Sequence, residues 1–151
     1  MHLKEKEICD ASYFSALFRR CEVLTLSFND GEYPYAVPMN FVECEGALYM
    51  HTALEGRKMD CLARDAHVHF SLYENLGVDR KAATMRYNSV SGTGIAELLD
   101  QPEEKRRMVA ALAYKYESDC PSPIPDKLLA ITAVIKVRIT SLCGKSSQKQ
   151  S

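Results

Sequence analysis

Two adjacent cations at a predicted helix start, in the segment HTALEGRK at residues 51–58, point most directly to chemistry. The segment predicts the end of a strand and then a helix whose first turn carries Arg57 and Lys58. A helix N-terminus bears partial positive charge, so these cations are unfavourable there unless an anion joins them. Backbone amides, an Arg fork and a Lys charge form a phosphate site, to which Thr52 adds a hydroxyl and Gly56 a close backbone approach. A solvated basic turn is the alternative.

A proline inside an apolar strand marks a second candidate position, in the segment Val37-Pro38-Met39-Asn40-Phe41. Pro38 cannot donate to a strand ladder, so it predicts an edge, a bulge, or a place where something other than a strand lies alongside. Asn40 follows two residues later and lies on the same side. A planar ring with carbonyl and imide groups would fit there, hydrogen-bonded to backbone amides that are left free. A barrel-rim proline with an asparagine near a turn is the alternative.

A third segment is rich in small residues, from Tyr87 to Gly94 (YNSVSGTG). It is no dinucleotide-binding fingerprint, because it does not join a strand to a helix in a parallel unit. We interpret it as a strand whose small polar side chains and glycines face a ligand or a partner subunit.

These segments together resemble the nitroimidazole reductase branch of the pyridoxamine 5′-phosphate oxidase-like flavoproteins. The similar stretches are residues 35–41 and 48–58, followed in the same order by Ser89–Leu98, Pro102–Arg107 and Thr132–Lys145. The resemblance covers nearly the whole chain from about Glu7. Its most specific part is Thr52 with Arg57 and Lys58, at that distance after Pro38-x-Asn40. It implies a six-stranded antiparallel split β-barrel with flanking helices, in which a homodimer interface holds two FMN molecules.

The resemblance also implies a role for each matching residue. Arg57 and Lys58 would bind the FMN phosphate, Thr52 would line the phosphate and ribityl region, and Ser89 takes the place of a glutamine with which vitamin oxidases reach the flavin. The full set of implied cofactor-binding residues is Val37, Pro38, Met39, Asn40, His51, Thr52, Gly56, Arg57, Lys58, Ser89 and Val90. The chain has no equivalent of the basic and aromatic residues that those oxidases use on pyridoxamine phosphate, so vitamin B6 oxidation is not expected.

His51 is the candidate catalytic residue. The resemblance implies that a histidine here faces the flavin ring, where it donates a proton or binds substrate. A strand histidine that is satisfied in the dimer interface is the alternative. His67 and His69 point the same way on one strand, but no third ligand accompanies them. Since a closed zinc site needs about four ligands, no metal site is expected.

The expected activity is reduction of a small planar acceptor, such as a nitroaromatic compound or a quinone. The flavin supplies the redox chemistry, and NAD(P)H is the expected transient electron donor. No Rossmann pattern is present, so a nicotinamide would visit the open flavin face. The alternatives are a general flavin reductase, a relative that uses a deazaflavin, a haem-binding or haem-handling barrel, and a flavin-binding protein without turnover.

Apolar periodicity and turn residues predict six strands and three helices around these segments. The strands are Cys21–Phe28, Tyr35–Val42, Ala47–Thr52, His67–Tyr73, Thr84–Leu99 and Leu129–Leu142. The helices are Ala11–Arg20, Leu54–Arg64 and one from Pro102 to about Tyr116. Turns or loops are predicted at Asn29–Gly31, Glu43–Gly46, Glu74–Ala83 and Cys120–Asp126. Gly92 and Gly94 predict a bulge or a close backbone approach. This pattern predicts an α+β, mainly β fold with a closed antiparallel barrel.

Length and charge limit the class of protein. The 151 residues suit one domain with residues 1–6 and 145–151 as flexible tails, and a net charge of −1 offers no field to recruit nucleic acid or anionic lipid. No apolar run reaches the roughly 20 residues of a membrane helix, so a cytoplasmic protein is expected. The cysteines show no C-x-x-C pair and are expected to be reduced, mostly acting as small apolar residues: Cys9, Cys21, Cys44, Cys61, Cys120 and Cys143.

Overall fold

Residues 6–116 and 124–148 are described by the computed structural model. Their strands are β1 (Glu7–Ile8), β2 (Val23–Asp30), β3 (Tyr33–Asn40), β4 (Val42–Cys44), β5 (Ala47–Ala53), β6 (His67–Asp79), β7 (Thr84–Leu98) and β8 (Thr132–Ser146). Their helices are α1 (Ala11–Arg20), α2 (Arg57–Arg64), α3 (Pro102–Tyr116) and α4 (Asp126–Ala130).

The strands form one antiparallel sheet in the order β3-β2-β6-β7-β8-β5-β4, and β1 pairs with the end of β8. The mainly β fold with flanking helices is confirmed, but the predicted six strands are too few. The predicted closed barrel is corrected as well, because the sheet is open and β3 and β4 are its two edges. Phe41 alone separates these edge strands along the chain. The sheet therefore curls back until one residue joins its edges, which is the arrangement of a split barrel.

Helix α1 and helix α3 have the predicted bounds, while several strand bounds differ for local reasons. The predicted loop Glu74–Ala83 is mostly strand, because β6 and β7 pair as a long ribbon from His67↔Ile95 to Asp79↔Thr84. Residues 74–79 of this ribbon lie outside the core, so their sequence lacks apolar alternation. Helix α2 starts at Arg57 and not at Leu54, because the preceding Gly56 has a φ of 133°, far from helical values.

The end of the chain also departs from the prediction. A short helix, α4, precedes β8, and β8 continues to Ser146, so that Lys145 and Ser146 belong to the sheet instead of a tail. At the other end, Glu7 pairs with Lys145. Most of the predicted loop Cys120–Asp126 lies outside the described residues, as do Cys120, residues 1–5 and residues 149–151.

The main core lies between the curled sheet and α1. Asp10 caps α1 by accepting a hydrogen bond from the Ser12 N–H at 2.8 Å, and the helix then buries Phe14, Leu17 and Phe18 against the sheet. A second apolar cluster packs α3 and α4 on β5 and β8, with Met108, Leu129 and Val134 among its members. These two cores fix the strands and helices that carry the candidate site.

The described cysteines are free thiols that differ in exposure. Cys21 and Cys61 are buried as expected, Cys44 and Cys143 are half-buried, and Cys9 is exposed, so the prediction of small apolar residues fails for Cys9. Within the described ranges, none of the helices has the length and apolar character needed to cross a membrane.

Candidate functional site

The two edges of the sheet part at Phe41 and leave a cleft between β3 and the second half of β5. Strand β4 pairs with β5 only from Ala47 to Tyr49, so the edge of β5 from Met50 to Ala53 continues beyond its partner. On its other side this stretch is fully paired with β8. The parting therefore leaves backbone N–H and C=O groups of both edges facing the cleft, where a ligand with amide-like groups can bind them.

Helix α2 begins at the far end of this cleft, directly after β5. Its N-cap, Gly56, provides no side-chain hydrogen bond to the first backbone amides, unlike a serine or aspartate cap. Among the described residues, no atom lies within 4 Å of the position that a Gly56 Cβ would take, whereas its φ of 133° requires glycine. Gly56 is thus set by its backbone conformation, and it leaves the helix start open to an anion.

Arg57 already has an anionic partner within the chain. Its Nε and Nη2 atoms each lie 2.8 Å from Asp30 Oδ2, and its guanidinium lies 4.0 Å above the centre of the Tyr35 ring. Asp30 also pairs with Arg64 at the other end of α2. Hydrogen bonds from Arg57 and then Arg64 hold the pKa of the Asp30 carboxyl below its usual range. The expectation that Arg57 needs an outside anion is therefore weakened, because Asp30 offsets part of its charge.

Thr52 and His51 lie on opposite faces of β5, since successive side chains of a strand alternate. Met50, on the Thr52 face, is fully buried in the main core, and Tyr49, on the His51 face, packs in the cluster beneath α3. His51 thus points towards α3 and away from the Thr52 side. The phosphate position implied for Thr52 and the ring position implied for His51 therefore lie on opposite sides of the β5 edge.

His51 lines a cavity of about 370 Å³ between the sheet edges and α3. Its other walls are Asn40 at the end of β3 and one face of α3, formed by Val109, Leu112, Ala113 and Tyr116. His51 is open to solvent on one side, but the protein around it removes enough water to lower its pKa below the usual histidine value. The cavity presents an apolar wall, an imidazole, an amide and a phenol to one small molecule.

The end of α3 is bound to the point where the edges part. The Lys115 ammonium donates to three carbonyls, those of Phe18, Cys21 and Phe41, at 2.8–3.0 Å, and burial lowers its pKa to about 8. The Tyr116 hydroxyl accepts from the Phe41 N–H at 3.0 Å and lies 2.6 Å from the Glu22 carbonyl, to which it donates. These bonds hold the wall of the cavity against the sheet.

Strand β3 presents its predicted site residues on both faces. Val37 packs against the core and Met39 is buried within it, whereas Pro38 and Asn40 are exposed. β3 is an edge strand, which confirms the interpretation of Pro38. The Asn40 side chain donates to the Glu22 carbonyl at 3.1 Å, so this amide is already held in place beside the cavity.

Ser89 and Val90 lie away from the cleft, on β7 in the middle of the sheet. Val90 is fully buried, and Ser89 faces a shallow depression on the outer surface with Thr25, Ser71 and Ser91. Within this chain, therefore, the structure brings the β3, β5 and α2 residues together and leaves Ser89 and Val90 elsewhere.

The glycines of the same strand serve its own packing. A Cβ on Gly92 would clash with the Ser141 carbonyl and lie 2.6 Å from Phe70 Cζ, and one on Gly94 would lie 2.8 Å from the Arg138 carbonyl. The register between β7 and β8 shifts between Thr93 and Gly94, which confirms the predicted bulge. The space beside these two glycines is filled by β8 and the core of this chain, while the interpretation that the segment faces a ligand or a partner subunit stays a prediction.

Several residues at the site escaped the sequence analysis. The sequence predicts a turn at Asp30, but this residue ends β2 and binds Arg57. The spacing of Val109, Leu112, Ala113 and Tyr116 predicts one helix face, but no pattern shows that this face lies opposite His51.

Elsewhere, His67 binds the Asp65 carboxylate at 2.7 Å, and the described residues hold no group of three or more side chains suited to a metal ion.

Comparison with known proteins agrees with this geometry. The sequence model of the pyridoxamine 5′-phosphate oxidase family matches residues 10–146. Among solved structures, a proposed 5-nitroimidazole antibiotic resistance protein from Bacteroides thetaiotaomicron is 27% identical, with a TM-score of 0.85 over 93% of this chain and 86% of that one. An FAD- and haem-binding protein from Mycobacterium smegmatis has a TM-score of 0.82 at 19% identity, over 97% and 76%.

A flavocytochrome from Azotobacter vinelandii shares the fold as well, with a TM-score of 0.80 at 17% identity over 94% of this chain and 69% of that one. No curated protein sequence shows a significant match. The family model covers nearly all of the split barrel, from the cap of α1 to the end of β8. The chain therefore belongs to the pyridoxamine 5′-phosphate oxidase family and resembles its nitroimidazole-resistance branch.

Proposed function

We propose that this chain is a cytoplasmic FMN-dependent oxidoreductase that works as a homodimer. It reduces small planar acceptors such as nitroaromatic compounds or quinones, and NAD(P)H is the transient electron donor. The observation that carries the proposal is the cleft between β3 and β5. Three features lie along this border of the sheet. They are the unpaired strand edges, the start of α2 with its cations and no side-chain cap, and the His51 cavity.

The residues of the cleft fit FMN in charge and in length. At the start of α2, Asp30 and Asp60 offset part of the charge of Arg57 and Lys58, but the backbone amides without a side-chain cap and the Lys58 ammonium remain to bind a phosphate. From Tyr35 beneath Arg57 to Asn40 beside His51, β3 spans about 17 Å of edge, which accommodates a phosphate chain and a ring in line. The free backbone groups of this edge suit the carbonyl and imide groups of an isoalloxazine.

The flavin, when bound, supplies hydride and electron transfer. The chain's own residues bind and orient the reactants. Val109, Leu112 and Ala113 exclude water from one face of the cavity, and His51 and Asn40 offer hydrogen bonds to a polar group of the acceptor. The similarity to the Bacteroides resistance protein supports a nitro compound as an acceptor class.

The phosphate assignment is tested by titrating FMN and riboflavin against the wild type, Arg57→Ala and Lys58→Ala. Loss of a charge-assisted partner is expected to weaken FMN binding roughly 10- to 100-fold. Riboflavin, which lacks the phosphate, should bind the wild type poorly and respond little to either change. Arg64→Ala is the matched control, since it also removes a partner of Asp30 but at the opposite end of α2. Equal losses for both ligands would show that these cations support the fold instead of the phosphate.

An absorbance spectrum of the purified protein separates the alternatives. Bound flavin gives bands at about 370 and 450 nm, whereas haem gives one intense band at about 400 nm. The FAD- and haem-binding protein with the same fold makes haem the second candidate, with His51 as the histidine at hand. A haem band without flavin bands would replace the proposal, and flavin bands without turnover of any acceptor would reduce it to flavin binding.

A further inference from the structure

Two cysteines far apart in sequence lie near each other where β1 pairs with the end of β8. The antiparallel register sets Glu7 opposite Lys145 and Ile8 opposite Gly144. Cys9 follows the last residue of β1, and one further step of the same register would set it opposite Cys143. Directly opposed residues of antiparallel strands have Cα atoms about 4.5–5.5 Å apart, which lies within the range that a disulfide bond requires.

Both cysteine side chains lie on the same face of this strand pair. Ile8 and Gly144 are buried, so the alternation places Glu7 and Cys143 on the opposite face, and Cys9 follows on that face when the alternation is continued by one residue beyond β1. A direct contact agrees with this placement, because the Cys143 thiol donates to Glu7 Oε1 at 3.7 Å. Cys9 itself is exposed, so a small reagent reaches it from solvent.

We propose that Cys9 and Cys143 form a reversible intramolecular disulfide by exchange with a low-molecular-weight disulfide. The thiolate of Cys9 attacks one sulfur of the small disulfide, which releases one small thiolate and leaves a mixed disulfide on Cys9. The thiolate of Cys143 then attacks the Cys9 sulfur and expels the second small thiolate. The protein loses two electrons and two protons, and the small disulfide becomes two thiols.

The environment favours Cys9 as the first residue to react. Burial and the neighbouring Glu7 carboxylate raise the pKa of the Cys143 thiol, so it is protonated at neutral pH and reacts in the second step. Disulfide bonds are rare in the cytoplasm of mesophiles, and those that do form there are usually transient.

The bond would fix the beginning of α1 to the end of β8. The Tyr13 hydroxyl already donates to the Lys145 carbonyl at 2.8 Å, and the Tyr13 and Phe14 rings cover Gly144. The disulfide would close a loop of most of the chain, so oxidation is expected to raise the thermal midpoint by roughly 5–10 °C.

The test is treatment of the full-length protein with oxidised glutathione at pH 8, followed by thiol counting and peptide mapping under non-reducing conditions. The wild type is expected to lose two thiols, gain a Cys9–Cys143 linked peptide and unfold at higher temperature. Dithiothreitol should reverse all three changes. Cys9→Ser and Cys143→Ser should form no intramolecular disulfide and show no rise in midpoint.

Cys44→Ser is the control, because it removes a half-buried cysteine on β4 and should behave as the wild type does. Glutathione that stays on Cys9 without loss of the Cys143 thiol would overturn the proposal. So would a linked peptide that joins any other pair of cysteines, or a bond formed only between two chains.

Discussion

At the scale of single residues, His51 shows what the sequence could predict and what it could not. The resemblance placed it beside Thr52 at the cofactor, and both do lie on the β5 edge of the cleft. Alternation along the strand nevertheless turns His51 towards α3, and the apolar face of α3 lowers its pKa. Such a shift depends on a helix that lies far away in sequence, so no local pattern contains it.

His51 leads to a prediction about pH. A lowered pKa means that the imidazole is neutral at pH 7 and gains its proton only on the acid side of the usual histidine value of about 6.5. If His51 donates a proton to the acceptor, the reduction rate must rise as pH falls from 8 to 5. His51→Gln should remove this rise and lower the rate at pH 5 at least roughly 100-fold, while FMN still binds.

The measurement is the steady-state rate of nitroaromatic reduction across this pH range, with FMN saturation followed by fluorescence. His69→Gln is the control, since His69 is exposed on β6 and lines a different depression. A wild-type rate that does not change with pH would exclude proton donation by His51.

At the scale of elements, the apolar periodicity of the sequence predicted the helices and strands whose bounds are set by residues close in sequence. The cap at Asp10 and the proline at the start of α3 gave both helices their observed bounds. Both strands of the β6–β7 ribbon were predicted, but the extension of β6 over residues 74–79 was not, because this stretch pairs with β7 outside the core and lacks apolar alternation. The bulge near Gly94 was predicted, yet its cause is the approach of β7 to β8, which only the tertiary structure shows.

Gly92 tests this account of β7. The added Cβ of Gly92→Ala would meet the Ser141 carbonyl and the Phe70 ring, and these strands cannot separate without loss of packing. We expect the free energy of unfolding in urea to fall by about 1–3 kcal/mol, the usual range for an overpacked core. Ser91→Ala on the outward face of the same strand should change it by less than about 0.5 kcal/mol. If the two variants are equally stable, core packing does not require Gly92, and a role at a ligand or partner would explain this glycine better.

At the scale of the whole molecule, the proposed homodimer explains how site residues that lie apart in one chain would bind the same cofactor. Ser89 lies outside the cleft of its own chain, on an outer surface where the small side chains of Thr25, Ser71 and Ser91 allow close approach. Exposed Val23 and Tyr73 border the same surface and add apolar area. A second copy bound there could bring its own cleft to Ser89, which the sequence of one chain cannot reveal.

Sedimentation of the FMN-loaded protein should therefore give a dimer. Ser71→Arg, which adds a long charged side chain to this surface, should shift the population to monomer and weaken FMN binding at least about 10-fold. Arg80→Ser on the exposed turn between β6 and β7 should leave both unchanged. A wild-type monomer that holds FMN as tightly as the proposed dimer would contradict the prediction.

The bonds from Lys115 and Tyr116 to Phe41 also tie the docking of α3 to the separation of the sheet edges. A molecule that binds more tightly at one distance between the two edges will therefore shift the balance between packed and detached α3. By thermodynamic reciprocity, the docking of α3 then changes the affinity of that molecule by the same factor. Phe41 is therefore one of the residues through which occupancy of the cleft and order in α3 are linked.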